Sequence, residues 1–517
     1  MRIATNVSAI VSNNALQKSQ DRLTKSIARL SSGYKINSSS DDAAGYAISE
    51  KMRLQLRGLN QADNNAADGV SVLHTAEGAM EEIQSMLARM KELSVQAANG
   101  TNSVDERSAI QSEIDSLNSE IDRISSNTEF NSQTLISGNL SRRVYSNYEG
   151  VNQIEVSDNF VAGNYGITIT QDARQAIVVG NGAVTMSDTA TVTKEQAGTI
   201  SMNGYGIEIS EGDTLAGIMG KLVDGADKIG GRVFAITAGA TNDTKVNGTD
   251  YAGYEPQTSY AGNNIVFMTK ESGSSKTMNI TCSNAQLANM LGIATAATNS
   301  GMYAEGSDVQ AEFTLDNDGK RVGFADSAVI STSGTRVTVK DVNNRTFVTD
   351  VPSNVAGTQF SDTAKADDKS TATSTQTAKV TQEVTDVGTM SVHVGANENQ
   401  VILIDIPAVT SYTLGTENLN VMTSVTASEA IDTIDTAVAY ANRVRAQMGA
   451  YENRFEHTTN NLGTASENLT SAISTMTDTD MAEEMTEYTS LNVMTQAATS
   501  ILAQANERPS TVLQILQ

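Results

Sequence analysis

Residues 431–455 read I-D-T-I-D-T-A-V-A-Y-A-N-R-V-R-A-Q-M-G-A-Y-E-N-R-F, with an apolar side chain at every seventh position from Ile434. The spacing continues beyond this stretch, through Ile434, Ala441, Met448, Phe455, Leu462, Leu469 and Met476. A seven-residue repeat kept over so many turns is typical of a long helix that supercoils around an apolar partner. The fold therefore depends on where the rest of the chain supplies that partner.

Residues 1–140 carry apolar seams of the same kind. The seams run through Leu16, Leu23, Ile27 and Leu30, then from Ile48 to Met90, then through Ile110, Ile114, Leu117, Ile121 and Ile124. Ser103 and Glu106 fit a capping box, in which each side chain satisfies a backbone N–H of the other residue. Because helices with apolar seams need partners, we expect helices from the two chain ends to pack together as one coiled-coil rod.

Residues from roughly 141 to 416 have a different pattern, in which short alternating apolar runs are separated by turn residues. The run T-I-S-M-N-G-Y-G-I-E-I predicts a hairpin at Asn203-Gly204. The other predicted features are a short helix capped by Asp213, strands at 232–237, 263–269 and 277–281, a turn at 317–319, a linker at 364–381 and a hairpin at 390–407. The fold class is therefore α+β and multidomain, with mainly α terminal regions and one or two β-rich outer domains inserted between them.

Composition excludes several classes of function. The 517 residues include 60 acidic and 35 basic ones, for a net charge of −25, which is a poor match for nucleic-acid phosphates. No run of about 18 apolar residues is present that could span a membrane. The single cysteine, Cys282, excludes an internal disulfide, and the three histidines lack any paired metal-ligand spacing. Without a G-x-S-x-G or Walker motif either, we expect no enzyme, cofactor or metal site.

The outermost segments, about 1–30 and 480–517, carry apolar stripes that no element of their own covers. The stripe of the C-terminal segment, 480–517, consists of Leu491, Met494, Ala498, Ile501 and Ala505. We expect Asp480 to cap this helix and Pro509 to end it. A pair of helices buries little surface against an ordering cost of roughly 1–2 kcal/mol per residue. The two segments could cover each other as a hairpin of chain ends, but we expect both to be poorly ordered in a monomer and to fold when many copies cover one another's stripes. The alternative is docking on the rod of the same molecule.

Both ends also carry long motifs in order. They are R-L-S-S-G-Y-K-I-N-S-S-S-D-D-A-A-G, G-L-N-Q-A-D-N-N-A-A-D-G and E-L-S-V-Q-A-A-N-G-T-N-S, then Y-E-N-R-F-E-H-T-T-N-N-L, N-L-T-S-A and I-L-A-Q-A-N-E-R-P-S-T-V-L. On these motifs the chain resembles bacterial flagellins over about 1–140 and 390–517. The resemblance implies an extracellular helical tube, with the terminal helices as its inner layer. It also implies export of the unfolded chain through the flagellar type III channel without a cleaved leader, and the start M-R-I-A-T-N-V-S is unlike a signal peptide.

The resemblance divides the chain into segments. They are an inner-core helix and spoke (1–42), N-terminal rod helices (43–140), a surface-exposed β-rich insert (141–388), a hairpin with the C-terminal rod helix (389–478) and a C-terminal inner-core helix (479–517). The resemblance implies that the spoke, the segment from Leu30 to Gly45, joins the inner helix to the rod. Its small residues are expected to allow close packing between subunits, with Asp41 or Asp42 capping the next helix. The small residues are Ser31, Ser32, Gly33, Ala43, Ala44 and Gly45. The alternative is a merely flexible connector.

A second implication of the resemblance is recognition of the monomer by Toll-like receptor 5. Arg89, Leu93 and Gln96, and Glu113 on the next helix, match the family's contact positions, whereas Ala88, Lys91 and Ser94 depart from its commoner residues. An arginine beside an apolar anchor is a usual hot-spot pairing. The alternative is that these residues serve only subunit packing.

The partners implied are other copies of the chain, an export chaperone, and the filament cap and junction proteins. The nearest related class is the hook–filament junction protein, which typically has a proline after the paired aspartates, where this chain has Ala43. A displayed metallopeptidase is disfavoured by the absence of H-E-x-x-H. An adhesin or glycan-binding role for 141–388 stays open. The run G-T-I-S-M-N-G-Y-G-I-E-I-S-E-G-D-T-L is also similar to a repeat of some flagellins and filament-cap proteins.

Overall fold

The structure is a computed structural model that describes residues 6–157, 160–237, 260–293, 301–316, 318–342, 345–353, 355–356, 359–361, 371–374 and 377–516. The helices are α1 (Val7–Ser32), α2 (Ala43–Ala98), α3 (Val104–Asn127), α4 (Leu215–Lys228), α5 (Ala285–Met290), α6 (Ser411–Leu414), α7 (Ser424–Thr477) and α8 (Met481–Leu516). The strands up to α4 are β1 (Glu129–Phe130), β2 (Gln133–Thr134), β3 (Val144–Ser146), β4 (Asn152–Val156), β5 (Gly163–Gln171), β6 (Gln175–Val179), β7 (Gly198–Met202) and β8 (Tyr205–Ile209). The strands after α4 are β9 (Gly231–Thr237), β10 (Asn263–Ser272), β11 (Thr277–Cys282), β12 (Met302–Glu305), β13 (Gln310–Phe313), β14 (Val329–Ser333), β15 (Arg336–Lys340), β16 (Thr346–Asp350), β17 (Gln359–Ser361), β18 (Thr371–Ser374), β19 (Ala378–Val384), β20 (Met390–His393) and β21 (Val401–Ile404).

The chain divides into two compact units. Unit 1 comprises Met1–Val70, Val392–Ile402 and Asn453–Gln517, and unit 2 comprises Ser71–Ser391 and Leu403–Glu452. Within the described residues, no helix combines the length and the apolar character that a membrane span requires. The fold class expected from the sequence is confirmed, since helices occupy both ends and strands occupy the middle.

The seven-residue seam of α7 is buried along most of its length. In unit 2, Ile434, Ala441 and Met448 are almost fully buried, as are the α2 side chains Met80, Ile83, Leu87 and Met90. In unit 1, Phe455 is fully buried against Gly69 of α2, where an added Cβ atom would lie 2.9 Å from the phenyl ring. The seam weakens only at its end, where Leu469 and Met476 are half-buried.

The capping box at the start of α3 is confirmed. The backbone N–H of Ser103 donates to Glu106 Oε2 over 2.7 Å, and the backbone N–H of Glu106 donates to Ser103 Oγ over 3.3 Å. The first of these bonds lowers the pKa of Glu106, because it stabilises the carboxylate form. The sequence therefore specifies this helix start through purely local contacts.

Besides a small cluster around Ile236 and Val266, the described residues of the β-rich middle contain two large hydrophobic clusters. One lies within Ala176–Met302 and is covered by α4, while the other combines residues on both sides of it, from Val151 to Ala173 and from Val309 to Val384. Aromatic rings fill the second cluster, with centroids of Tyr165 and Phe324 only 5.1 Å apart. The number of outer β-rich domains, one or two, stays a prediction.

The sheets are antiparallel. Their strand orders are β6-β10-β9, β12-β11-β7-β8, β13-β5-β19-β3 and β14-β15-β16-β4, with two-stranded pairs β1-β2, β17-β18 and β20-β21. The hairpin β7–β8 is confirmed, and its turn residues Asn203 and Gly204 both have positive φ angles, 48° and 87°, as a two-residue turn of this kind requires. The hairpin expected at 390–407 is also confirmed, as β20 and β21.

Two predictions for the middle of the chain are wrong. Thr214, not Asp213, caps α4, since Thr214 Oγ1 accepts from the backbone N–H of Gly217, while Asp213 instead bonds Lys221 over 2.6 Å. The linker expected at 364–381 contains β18 and the start of β19, which is an inner strand of its sheet. Its partners β3 and β5 lie far away in sequence, so local composition does not reveal the pairing. Of the predicted turn at 317–319, Asn317 lies outside the described residues.

Candidate assembly surface

The terminal helices α1 and α8 form an antiparallel pair within unit 1. Arg29 Nη1 lies 3.6 Å from Glu484 Oε2. Two turns earlier in α1, Arg22 Nη2 lies 3.4 Å from Glu487 Oε1. At the start of α1, Asn6 Nδ2 donates to the backbone oxygen of Ala505 over 2.8 Å. Residues nearer the start of α1 contact residues nearer the end of α8, so the two helices run in opposite directions. The chain ends therefore cover part of each other's surface.

The start of α8 follows the prediction. Asp480 Oδ1 accepts from the backbone N–H of Ala482 over 2.9 Å and from that of Glu483 over 3.2 Å. An aspartate in this position satisfies two N–H groups that have no partner within the helix. Glu483 and Glu484 in the first turn add negative charge at the positive end of the helix dipole.

The predicted end of this helix at Pro509 is wrong, because α8 continues to Leu516. Proline lacks the N–H that would normally bond the carbonyl oxygen four residues earlier, which here belongs to Ala505. That oxygen is the acceptor of the Asn6 Nδ2 bond. The Asn6 side chain, from the other end of the chain, thus supplies the missing donor. This bond removes part of the free-energy penalty for a proline inside the helix.

The predicted stripe on α8 divides into two faces. Leu491 and Ala505 are buried and Ala498 is half-buried, so this row faces into the pair. Met494 and Ile501 remain 43% and 56% exposed. Further exposed apolar side chains on the two helices are Val7, Ile10, Val11, Ile27, Met481, Met485 and Val493. Pairing within one chain therefore leaves apolar surface uncovered on both helices.

The spoke has a partner that the sequence did not reveal. The backbone N–H of Lys35 donates to the oxygen of Thr477 over 2.7 Å, and that of Thr479 donates to the oxygen of Gly33 over 2.9 Å. These bonds flank an antiparallel bridge between Tyr34 and Asp478. The segment that follows α1 is thus hydrogen-bonded to the short segment between α7 and α8. The only signal in the sequence is that each segment precedes a helix with an aspartate cap.

The two aspartates of the spoke have different roles. Asp42 caps α2, since its Oδ1 accepts from the backbone N–H groups of Ala44 and Gly45, each over 3.0 Å. Asp41 instead holds the preceding turn, where its Oδ2 accepts from the N–H groups of Asn37 and Ser38. The bonds from Ser38 lower the pKa of Asp41. Of the two residues expected as caps, Asp42 is the one that caps the helix.

The small residues of the spoke also differ in role. Ser31, Ser32, Ala43 and Ala44 are exposed. Gly45 is buried, and a Cβ atom added there would lie 2.4 Å from Asp42 Oδ2 and 2.8 Å from Ile36 Cδ1. Gly33 ends α1 with a φ angle of 76°. Both glycines are therefore required by the spoke itself, whereas packing between subunits stays a prediction for the exposed residues.

The residues matched to receptor contacts lie on α2 and α3 in unit 2. Arg89 Nη2 lies 2.9 Å from Glu113 Oε1, and its Nη1 lies 3.2 Å from Glu92 Oε2. The hydrogen bond to Glu113 is the main cause of a raised pKa at Arg89. Arg89, Gln96 and Glu113 are exposed, but Leu93 is only 2% exposed. Leu93 therefore cannot be the apolar anchor expected beside Arg89 while α2 keeps this packing.

Comparisons with known proteins agree with the geometry of the terminal helices. The family model for the bacterial flagellin N-terminal helical region matches residues 3–141, and that for the bacterial flagellin C-terminal helical region matches residues 431–516. A flagellin from Clostridium tyrobutyricum is 31% identical over 510 residues, which cover 96% of this chain and 98% of the relative. The chain belongs to the flagellin family.

Other relatives of this flagellin agree. A flagellin from Salmonella typhimurium is 31% identical over 547 residues, covering 100% of this chain and 99% of the relative. By contrast, a solved FliC structure from Burkholderia pseudomallei is only 15% identical, covering 75% of this chain and 99% of its own, with a TM-score of 0.22. Flagellins are structural subunits of the flagellar filament, so this chain is a structural protein and not an enzyme.

Proposed function

We propose that this flagellin polymerises into the filament of a swimming bacterium through the outward faces of α1 and α8. The observation that supports the proposal is the apolar surface left on both helices after they have paired, which includes Val11, Met494 and Ile501. Exposed apolar side chains in such density mark an interaction surface rather than a solvated one. Each large aliphatic side chain that becomes fully buried contributes about 1.5–3 kcal/mol, and a helical polymer repeats the contribution in every subunit.

Electron microscopy of purified monomer with short filament seeds tests the proposal. We expect long uniform tubes from the unaltered chain and few or none from Ile501→Asp, because a carboxylate is strongly disfavoured in an apolar contact. Gln496→Asp is the matched control, since it places the same charge on an exposed polar position of the same helix. Abundant tubes from Ile501→Asp would contradict the proposed surface. Absence of tubes from the unaltered chain, with its helices intact by circular dichroism, would favour the junction-protein alternative.

The same proposal includes export of the unfolded chain through the flagellar type III channel and a final position outside the cell. Its support is membership of the flagellin family together with relatives that match over nearly their whole length. Export chaperone, cap and junction proteins are then the expected partners. Detection of the chain in culture medium tests this proposal. The chain should disappear from the medium when the flagellar export apparatus is inactivated, and its continued release would contradict the route.

Recognition by Toll-like receptor 5 is a further part of the proposal. Its support is the exposed polar group formed by Arg89, Gln96 and Glu113, in which the Arg89 guanidinium is already oriented by Glu113. An oriented, planar cation loses less freedom on binding than an unconstrained one. Leu93 is only 2% exposed and is not proposed as a direct contact.

A further inference from the structure

A cluster of ionisable side chains in unit 2 has no part in the function proposed above. His74 and Glu77 lie one turn apart on α2, and Glu452 lies on α7. One imidazole nitrogen and two carboxylate oxygens from these residues all lie within 4.8 Å of one another. Among these atoms, His74 Nε2 lies 3.5 Å from Glu452 Oε1. Residues from two helices far apart in sequence thus bring three metal-ligand atoms together.

The chemistry of the three side chains favours a particular class of ion. Metal–ligand distances of about 2.0–2.2 Å place the ligands of a tetrahedral zinc ion about 3.3–3.6 Å from one another. His74 Nε2 and Glu452 Oε1 already have this separation. A rotation of the Glu77 side chain would bring in the third ligand, because His74 is exposed and both glutamates are only half-buried. An imidazole ligand favours Zn²⁺, Co²⁺ or Ni²⁺ over Mg²⁺ and Ca²⁺.

We propose that His74, Glu77 and Glu452 bind a divalent transition-metal ion of the zinc type, with water completing its coordination. The proposal is independent of polymerisation, because all three residues belong to the monomer's unit 2. The ion joins α2 to α7, and the unfolded chain does not hold these ligands together. Binding therefore stabilises the folded state and raises its melting temperature.

One neighbouring cation competes for the site. Arg445 Nη2 lies 3.3 Å from Glu77 Oε1, so its guanidinium already neutralises part of the Glu77 charge that would attract a metal ion. Arg445 also donates to Gln84 Oε1 through Nη1, and it keeps this partner when the ion displaces it from Glu77. Removal of the Arg445 charge should therefore tighten metal binding, the opposite of what removal of a ligand does.

Isothermal titration of the full-length monomer with zinc chloride, in a buffer that does not chelate zinc, tests the site. We expect one saturable site per chain, and a dissociation constant at least tenfold larger for His74→Ala and for Glu452→Gln. His457→Ala is the matched control, because it removes an exposed histidine elsewhere on α7. Absence of a one-to-one site in the unaltered chain, or equal affinities of His74→Ala and His457→Ala, would overturn the proposal.

Three further measurements test the site, and the first of them separates loss of metal binding from a folding defect. With Co²⁺ in place of Zn²⁺, the unaltered chain should develop a visible absorption band that His74→Ala lacks, while circular dichroism shows the same helix content in both. Arg445→Gln should bind zinc severalfold more tightly than the unaltered chain. Equal affinity for Zn²⁺ and Mg²⁺ would contradict a site built around an imidazole.

Discussion

Single residues in the spoke show how strongly close contacts constrain this fold. A methyl group added at Gly45 would clash with the Asp42 carboxylate, which caps the same helix, since the new Cβ atom would lie 2.4 Å from Asp42 Oδ2. An alanine in a helix is normally favoured over glycine by about 1 kcal/mol. At Gly45 the contact with Asp42 opposes this preference, because the cap must move to make room.

We expect Gly45→Ala to lower the melting temperature of the monomer. The displaced Asp42 cap costs about 1 kcal/mol, and contact with Ile36 adds to the loss. Gly78→Ala, on the same helix, is the matched control, since a Cβ atom there has no neighbour within 4 Å. That substitution should raise stability by about 0.5–1 kcal/mol. Thermal unfolding followed by circular dichroism compares the two, and equal shifts would show that the cap tolerates the methyl group.

Arg89 is the residue on which receptor recognition depends in our proposal. We expect Arg89→Ala to weaken capture of the monomer by immobilised Toll-like receptor 5 by about tenfold or more, because a hot-spot arginine typically contributes at least 1–2 kcal/mol. Arg123→Ala is the control, since Arg123 also forms an exposed ion pair, with Glu120 on α3. Equal capture of the two variants would leave Arg89 without a role in recognition.

At the scale of elements, the bond between Asn6 and Ala505 explains how α8 passes through Pro509. We expect Asn6→Asp, which keeps an acceptor for the Ala9 N–H but loses the donor, to destabilise the α1–α8 pair by about 1–2 kcal/mol. In a Pro509→Ala background the penalty should be smaller, because the new N–H satisfies the Ala505 oxygen. Thermal unfolding of the four chains measures this double-mutant cycle, and additive effects would contradict the coupling.

The elements also show which features were predictable. The α7 seam, the Ser103 capping box and the Asn203-Gly204 turn were specified by residues within one or two turns of each other, and all three are present in the structure. The Pro509 prediction was wrong because the compensating donor, Asn6, lies 499 positions from its acceptor. The predicted linker was wrong because β19 is stabilised by distant strands.

The candidate surface was predictable to a similar degree. Periodicity located the stripe on α8, but it could not separate the inward row of Leu491 and Ala505 from the outward Met494 and Ile501. That division depends on the position of α1. In the same way, the match of Leu93 to a receptor contact came from the motif alone, and burial of its side chain became visible only once α2 was packed.

At the scale of the whole molecule, the β-rich insert begins and ends at adjacent points. The backbone N–H of Arg143 donates to the oxygen of Val387 over 2.9 Å, and a Cβ atom added at Gly388 would lie 2.2 Å from the oxygen of Ser141. The two ends of the predicted insert, 141–388, thus lie side by side, and its exact boundaries stay a prediction. Within unit 2, Arg443 of α7 holds Glu155 of the insert, with Nη2 2.7 Å from Oε2.

We therefore expect excision of 141–388, closed with a short Gly-Ser link, to leave a chain that still forms filaments. The surfaces of α1 and α8 are untouched, although loss of the Glu155 contact should lower the melting temperature. Electron microscopy of seeded samples measures the outcome. The same excision combined with Ile501→Asp should not assemble. Failure of the excised chain, with its helices intact, would mean that the insert carries essential subunit contacts.

The pairing of α1 with α8 has a consequence for biosynthesis. Asn6 leaves the ribosome long before its partner Ala505 exists, since 499 positions separate them in the chain. A polypeptide released early by a nonsense codon or a stalled ribosome has α1 but lacks the helix that covers it. Only a chain translated at least through α8 therefore carries both helices of the surface proposed for assembly.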